Sequence, residues 1–208
     1  TKKETIKDGL VEEFYDNGLL SFKGNYKNGE PEGLHETFYE NGQLMVRTNY
    51  KNGKPDGLWE MFHENGQLEK RVNFKNGKQD GLYEGFYKKG QLQSRGNYKN
   101  GKDGLFEFFY KNGQLEQRRN HKNGKPDGLY ECFHENGQLW NRGNYKNGKP
   151  DGLSEVWYEN GQLEYRGNVK NGKQDGLWET FYWKSDNNPF VLHGPIRIRE
   201  NYINGKPD

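Results

Sequence analysis

Apolar and polar residues alternate along most of this chain, in short runs that are separated by Asn-Gly pairs. Between Leu58 and Phe74, for example, two such runs flank Asn65-Gly66. Alternation with a period of two is typical of a β-strand that buries one face, and Asn-Gly between two such runs is the strongest short-range signal for a hairpin. The pattern therefore predicts β-hairpins, each made of two strands joined by a two-residue type I′ turn.

The hairpin pattern recurs, which indicates a repeat protein. The dipeptide Gly-Leu returns every 24 residues, except for one step of 23 where Lys102 directly precedes Asp103. A unit of this size cannot bury its own apolar residues, so neighbouring copies must stack. We predict an all-β fold, an elongated, twisted, single antiparallel sheet in meander order, built from eight hairpin repeats of about 24 residues. The copies begin at Gly9, Gly33, Gly57, Gly81, Gly104, Gly128, Gly152 and Gly176.

The two ends of the chain depart from the repeat. Residues 1–8 are predicted to form an N-terminal stub strand, and residues 9–182 hold repeats 1–7 and the start of repeat 8. Residues 183–208 form a degenerate eighth repeat, in which a longer insert replaces the Asn-Gly turn. We expect this insert to cap the last edge of the sheet, since an open edge invites aggregation.

A two-residue turn also fixes which residues of a hairpin face one another. In the third copy this register places Glu60 opposite Arg71 and Phe62 opposite Glu69, and the segment from Lys75 to Gly81 is expected to be a longer loop. Opposite charges directly across two strands contribute roughly 0.2–1 kcal/mol per pair. Counting outward from the Asn-Gly turn in the same way places a glutamate opposite a lysine or arginine in seven copies. These structural pairs are Glu12–Lys23, Glu36–Arg47, Glu60–Arg71, Glu84–Arg95, Glu107–Arg118, Glu131–Arg142 and Glu155–Arg166.

Alternation divides the side chains between two faces of the sheet. One face is nearly identical in every copy and is called the uniform face here, whereas the other changes between copies and is called the variable face. In the third copy the uniform face is predicted to carry Leu58, Glu60, Phe62, Glu69, Arg71 and Asn73. The variable face is predicted to carry Trp59, Met61, His63, Leu68, Lys70, Val72 and Phe74.

A row of aromatic side chains on the variable face is the candidate binding site. Rings supply contact area at a small entropic cost, and differences between copies suit a partner that does not repeat. The alternative is that these rings only cover a thin sheet whose apolar residues have no other place to go. The candidate partner-binding residues are Trp59, Tyr83, Tyr87, Phe106, Tyr110, Tyr130, His134 and Trp178.

Composition and motifs argue against catalysis and against metal binding by this chain. Only 29% of the residues are hydrophobic, yet 15% are aromatic, which favours strands and tight turns over disorder. The recurring glutamates each face a cation, the five histidines lack metal-ligand spacing, and Cys132 is the single cysteine. We therefore predict no catalytic residue, no cofactor and no metal site.

Charge and hydropathy restrict the classes of partner that this chain is expected to bind. The net charge is +2, with 32 basic and 30 acidic residues mixed throughout, so a nucleic-acid partner is not expected and a membrane-surface scaffold is disfavoured. No apolar run reaches the length of a membrane helix. The chain starts at Thr1 without a methionine, so removal of an N-terminal signal, and with it the compartment, stays open.

The repeated residues resemble those of the MORN family in its bacterial variant, which has Leu-x-Glu-x-Phe-Tyr-x-Asn-Gly-x-Leu-x-x-Arg and a following Tyr-x-x-Gly-Lys. The resemblance runs from about Gly9 to Asp208. It implies a β-sheet scaffold for protein or lipid contact without a catalytic motif. Proteins similar to this variant are often labelled antitoxins or immunity proteins of bacterial polymorphic toxin systems, and others resemble secreted or lipid-anchored surface proteins.

The resemblance therefore implies a non-catalytic protein-binding module, with a toxin domain as the specific partner. Two alternatives stay open, namely a secreted or lipid-anchored structural protein of the cell envelope and a membrane-surface scaffold. An immunity protein would be cytoplasmic, whereas an envelope protein would have lost an N-terminal signal. The identity of the partner and the oligomeric state are not set by the sequence.

Overall fold

The computed structural model describes residues 8–99, 101–181 and 196–208. None of these residues is helical, so no membrane-spanning helix is found among them. The chain divides into two compact units, Thr1–Gly101 and Lys102–Asp208. The predicted all-β class is confirmed in both units.

In the first unit, each strand pairs antiparallel with the next strand along the chain. This is the predicted meander order of successive hairpins. The strands are β1 (Gly9–Phe14), β2 (Leu20–Lys27), β3 (Glu30–Phe38), β4 (Leu44–Lys51), β5 (Lys54–Phe62), β6 (Leu68–Lys75), β7 (Lys78–Phe86) and β8 (Leu92–Tyr98).

The second unit repeats this order with one interruption, because β12 pairs with both of the short strands that follow it. Its strands are β9 (Gly104–Phe109), β10 (Leu115–Lys122), β11 (Lys125–Phe133), β12 (Leu139–Lys146), β13 (Lys149–Pro150), β14 (Gly152–Trp157), β15 (Leu163–Lys170), β16 (Lys173–Phe181), β17 (Ile196–Ile203) and β18 (Lys206–Pro207). The predicted stub (apart from Asp8) and the capping insert of residues 183–195 lie outside the described residues.

The turn at Asn65-Gly66 is not the predicted type I′ turn. Of its two central residues only Gly66 has a positive φ, at 81°. The His63 N–H donates to the Gln67 carbonyl over 2.8 Å, and the Gly66 N–H donates to the His63 carbonyl over 2.8 Å, so the turn is longer than two residues. The Asn65 side chain accepts the Gln67 N–H over 3.1 Å, which stabilises this turn with Asn65 at negative φ.

The second turn of the repeat, predicted as a longer loop, is instead the two-residue turn. Both Asn76 and Gly77 have positive φ, at 50° and 79°, as a type I′ turn requires. Lys75 lies directly opposite Lys78, so β7 begins at Lys78 rather than at Gly81. The prediction was wrong because both turns of the repeat contain Asn-Gly, and the dipeptide alone does not distinguish them.

The structure still places Glu60 opposite Arg71, because two departures from the predicted register cancel. The longer turn sets Phe62 opposite Leu68, and a β-bulge at Glu69 then shifts the pairing back by one residue. Phe62 therefore does not face Glu69 as predicted. Since residues directly opposite share a face, Leu68 lies on the uniform face, and its predicted place on the variable face was wrong.

The buried apolar side chains lie mainly on the variable face. Val72 is 1% exposed, and the buried Phe106, Cys132 and Val156 occupy sites on the same face in other copies. The large apolar side chains of the uniform face include many that are exposed. Each sheet thus packs its variable side chains against one another.

Candidate binding surfaces

In five of the repeats, two rings of the variable face contact each other. In each of these repeats, the ring at the site of Trp59, on the first strand of the hairpin, packs against the ring at the site of Phe74, near the end of the second strand. Ring pairs at such distances contribute about 0.5–1.5 kcal/mol beyond their buried area. The pairs and their centroid separations are His35–Tyr50 at 4.8 Å, Tyr83–Tyr98 at 5.8 Å, Phe106–His121 at 5.5 Å, Tyr130–Tyr145 at 5.5 Å and Trp178–Tyr202 at 6.5 Å.

The predicted binding row is therefore partly engaged in packing. Phe106 is buried, whereas Trp59, Tyr83, Tyr130 and Trp178 are half-buried. Each unit brings its own members of the row onto successive hairpins of one sheet, two in the first unit and three in the second. The exposed part of these rings is what remains for a partner.

The predicted residues at the turn, Tyr87, Tyr110 and His134, are half-buried. Tyr110 and His134 show how this site contacts the next repeat. The Tyr110 hydroxyl donates to the Phe133 carbonyl over 2.8 Å. His134 Nε2 lies 3.1 Å from the Trp157 carbonyl. Burial raises the pKa of Tyr110, which keeps the hydroxyl a donor. Tyrosine or histidine recurs at this site in every copy, a signal that the sequence contains and that the binding hypothesis did not use. His134 replaces the tyrosine contact, whereas His63 Nε2 has no hydrogen-bond partner among the described residues.

Differences between copies on the variable face follow side-chain volume. A Cβ at Gly167 would overlap with the indole ring of Trp178, and a Cβ at Gly24 would overlap with the imidazole of His35. Each glycine lies opposite the ring that covers it, on the first strand of the following hairpin. A large ring on one strand is thus matched by a missing side chain on its neighbour, as close packing requires.

A small polar cluster lies within the second unit's variable face. The Tyr130 phenol oxygen accepts the Gln117 side-chain N–H over 2.8 Å and is 3.1 Å from the Cys132 thiol. Burial, with a further contribution from the Cys132 thiol, raises the pKa of Tyr130 to about 12. The cluster therefore favours the neutral phenol of Tyr130. Among the described residues no group of three His, Cys, Asp or Glu side chains could hold a metal ion.

On the uniform face, the acid–base pairs form a ladder that continues across the boundaries between hairpins. Arg47 Nη2 is 2.7 Å from Glu60, and Arg118 Nη2 is 2.6 Å from Glu131, although each arginine belongs to the preceding repeat. Arg142 Nε also lies 3.3 Å from Glu131, so this carboxylate is held from both sides. The sequence count set each arginine opposite the glutamate of its own hairpin, and it missed the ion pairs between hairpins because it predicted a longer loop, with no fixed register, at the second turn.

The two signs of charge in this ladder differ in exposure. The glutamate side chains are 6–16% exposed from Glu60 onward, while their arginine partners are 39–62% exposed. Each of three guanidinium groups also lies over an aromatic ring of the same face. These are Arg47 over Phe62 at 5.9 Å, Arg142 over Trp157 at 5.6 Å and Arg166 over Phe181 at 5.6 Å. The ladder therefore presents its cations to solvent and keeps its carboxylates beneath them.

A row of exposed leucines runs beside this ladder. Each faces an asparagine across the hairpin, as Leu58 faces Asn73, so no apolar neighbour covers it from that side. The exposed fractions are 53% for Leu10, 42% for Leu34, 39% for Leu58, 41% for Leu82, 41% for Leu105, 38% for Leu129, 45% for Leu153 and 46% for Leu177. Sequence reasoning treated these leucines as a requirement of the fold, although their recurrence opposite a polar residue was the signal for exposure.

The type I′ turns form a third, polar surface. In the second unit a groove of about 780 Å³ lies between two successive turns and is lined by Lys146, Lys149, Lys170, Asp151 and Asp175 among others. The Asp151 carboxylate accepts the Asn171 N–H over 3.2 Å, so this aspartate joins one turn to the next.

Comparison with known families identifies the repeat. A family model described as MORN repeat variant matches the chain seven times. The matches span well over half of the chain and end before the eighth copy. They lie at residues 7–28, 31–52, 55–76, 79–100, 102–123, 126–147 and 150–171. No curated protein matches the chain.

Proposed function

Since the chain belongs to the MORN repeat variant family, whose repeats are non-catalytic modules that bind proteins or membranes, we propose that it is a non-catalytic module that binds a protein partner. The observation that carries this proposal is the leucine row of the uniform face. The row places an exposed apolar side chain on one strand of every hairpin, and large exposed apolar areas on one face are typical of an interaction site.

The leucine row has the dimensions of a protein contact. The leucines lie on alternate strands, and strands are ~4.8 Å apart, so the row advances ~10 Å per repeat. Four leucines in one unit thus extend over ~30 Å, a length comparable to one side of a standard protein interface. A partner that covers the row would contact several repeats at once.

The narrower proposal is that the partner is a toxin domain and the chain an antitoxin or immunity protein. It is supported by the resemblance of the repeats to proteins that carry those labels. A module without chemistry of its own can neutralise a toxin only by covering it, and a row that spans several repeats suits that role.

The half-exposed aromatic row is a second candidate surface for the same function. Trp59, Tyr83, Tyr130 and Trp178 each retain part of a ring in contact with solvent. Because these rings also pack within the sheet, their truncation is expected to lower stability as well as any affinity.

The test begins with capture of binding proteins from cells of the source organism, followed by titration of each purified candidate against matched variants. Leu129→Ser with Leu153→Ser removes part of the leucine row, Tyr83→Ala with Tyr130→Ala removes part of the aromatic row, and Lys149→Ser with Lys173→Ser is the control on the turns. We expect the leucine variant to weaken binding at least about tenfold, or ~1.4 kcal/mol, and the control to retain it.

Two outcomes contradict this proposal. Equal affinity of the wild-type chain and the leucine variant would remove the uniform face as the binding surface. A captured protein that does not arrest growth when expressed alone would refute the toxin role, whereas growth arrest that co-expression of the chain relieves would support it.

A further inference from the structure

We infer that the protein partner is acidic, and that carboxylates of its docking surface contact the arginines of the uniform face while its apolar side chains cover the leucine row. This inference rests on the proposed function and specifies the chemistry of the partner at that same surface.

On the uniform face, the glutamate side chains are buried beneath the more exposed guanidinium groups of their arginine partners. The Glu131 side chain is 6% exposed, whereas Arg118 and Arg142, which hold it, are 40% and 46% exposed. Glu179 is 10% exposed between Arg166 at 47% and Arg199 at 62%. At Glu131 and Glu179, a partner that approaches this face therefore meets guanidinium groups first and cannot reach the carboxylates without displacing them.

The leucines and the arginines would be covered together. Leu129 faces Asn144, and Arg142 lies two residues before Asn144 on the same strand, so Leu129 and Arg142 are diagonal neighbours on one face. Diagonal neighbours on antiparallel strands are separated by roughly 7–8 Å. A surface that covers Leu129 therefore also removes water from the Arg142 guanidinium.

Removing that water requires acceptors from the partner. A guanidinium group has five N–H donors, and Arg142 directs Nε to Glu131 over 3.3 Å and Nη1 towards Glu155 over 4.0 Å. The Arg142 side chain is 46% exposed, so its remaining donors are accessible to water and would be desolvated on docking, which is costly unless new acceptors replace the water. Carboxylates match the planar fork of a guanidinium best, and a basic surface would be repelled by it.

An anionic membrane fits these observations less well than an acidic protein. The leucines from Leu34 to Leu177 are less than half exposed. The asparagines beside the row include the exposed Asn49, Asn144 and Asn168, whose amides favour hydrogen bonds with a polypeptide over insertion among lipid chains.

The test uses three short labelled peptides in which leucine alternates with glutamate, glutamine or lysine, and it measures their binding to the full chain by fluorescence anisotropy. We expect the glutamate peptide to bind at least about tenfold more tightly than the glutamine peptide, and the lysine peptide to bind more weakly than either. Salt should reduce the difference between the peptides, because part of it is electrostatic.

Matched variants locate the contact. Arg142→Gln with Arg166→Gln should abolish the preference for glutamate, and Arg142→Lys, which keeps the charge and loses the fork, should reduce it. Leu129→Ser with Leu153→Ser should weaken the binding of all three peptides. Lys149→Gln with Lys173→Gln, on the turns, should leave the affinity of each peptide unchanged. Thermal melts establish that each variant is folded.

Several results would overturn the inference. Equal affinity for the glutamate and glutamine peptides would refute the inference that the partner is acidic, while the proposal that the leucine row binds a protein would stand. Loss of binding in the turn variant would place the contact on the lysines, and no binding of any peptide at millimolar concentration would contradict the surface itself. Binding of phosphatidylserine vesicles that the Leu129→Ser with Leu153→Ser variant abolishes, without a preference for the glutamate peptide, would replace the protein by a membrane.

Discussion

The two faces of each sheet have opposite relations between sequence variation and exposure. The variable face holds Val72 and Cys132, which are 1% and 6% exposed, whereas the uniform face exposes the leucine of every repeat. Variation between copies is often taken as a sign of a surface adapted to a partner. Here the variable residues pack against one another, and at Gly24 and Gly167 a missing side chain is matched by a large ring on the neighbouring strand.

The uniform face is constant for a different reason. Its ladder alternates glutamate and arginine within and between hairpins, so a change in one copy leaves charges unpaired in two. A surface under that constraint repeats whether or not it binds anything. In a repeat protein the invariant face can therefore be the accessible one.

The largest expected difference in stability is between a carboxylate introduced on the variable face and one introduced on the uniform face. Val72→Asp would bury an unpaired charge between Trp59 and Tyr83, its two cross-strand neighbours, and should destabilise the protein by about 3 kcal/mol or more. Leu58→Asp, at a site that is 39% exposed, should cost less than about 1 kcal/mol. Urea denaturation of both variants measures the difference, and similar losses would mean that the faces are equally buried.

Equivalent glycines in successive repeats give a second comparison. Gly167→Ala would force its Cβ into the ring of Trp178 and should destabilise by about 1–3 kcal/mol. Gly143→Ala meets only the Leu153 carbonyl at 3.9 Å and should be neutral or stabilising by up to about 1 kcal/mol, since alanine restricts the unfolded chain. Thermal unfolding would contradict the volume-matching account if the two alanines had the same effect.

A third comparison lies within the uniform face. Glu131→Gln removes a carboxylate that is 6% exposed and bonded to Arg118 and Arg142, and we expect a loss of about 1–2 kcal/mol. Glu12→Gln affects a pair in which Glu12 is 38% and Lys23 is 44% exposed, so the loss should stay below about 0.5 kcal/mol. Denaturant midpoints provide the measurement, and a larger effect at Glu12 would show that burial does not set the strength of the ladder.

The smallest effect is the pH dependence that Tyr130 contributes. Its pKa is about 12 in the folded chain, mainly because of burial, against an ordinary value of 10.0. Between these two pH values the unfolded chain binds fewer protons at this site, so stability should fall as pH rises through this interval. Tyr130→Phe should make the fall shallower. An unchanged slope in that variant would mean that other tyrosines carry the alkaline sensitivity.

Much of the fold followed from the sequence, because the repeat itself supplied the evidence. Alternation and the Gly-Leu period predicted the hairpins and their order. The type of each turn did not follow, since Asn65-Gly66 and Asn76-Gly77 are the same dipeptide and differ only in how the flanking residues bond. The bulge at Glu69, and with it the face of Leu68, depends on that difference.

The candidate surfaces were harder to predict. Alternation assigned side chains to two faces, but it contains no information on which face is covered when a sheet has no second layer. The burial of Val72 arises from neighbours on both sides, Trp59 of its own hairpin and Tyr83 of the next, whereas Leu58 faces the polar Asn73. Only the pairing of Leu58 with Asn73 could have indicated exposure from sequence alone.

Thiol labelling of the native protein can show which face is packed, because the chain has one cysteine, Cys132, and that residue lies on the variable face. The measurement compares the reaction rate of Cys132 in the wild-type chain with that of Leu58→Cys in a Cys132→Ala background, using a maleimide under native conditions. If the variable face is the packed one, Cys132 should react at least about a hundredfold more slowly than Leu58→Cys, because it must wait for local opening. Equal rates, or faster labelling of Cys132, would show that the variable face is open to solvent and would return the binding site to its aromatic row.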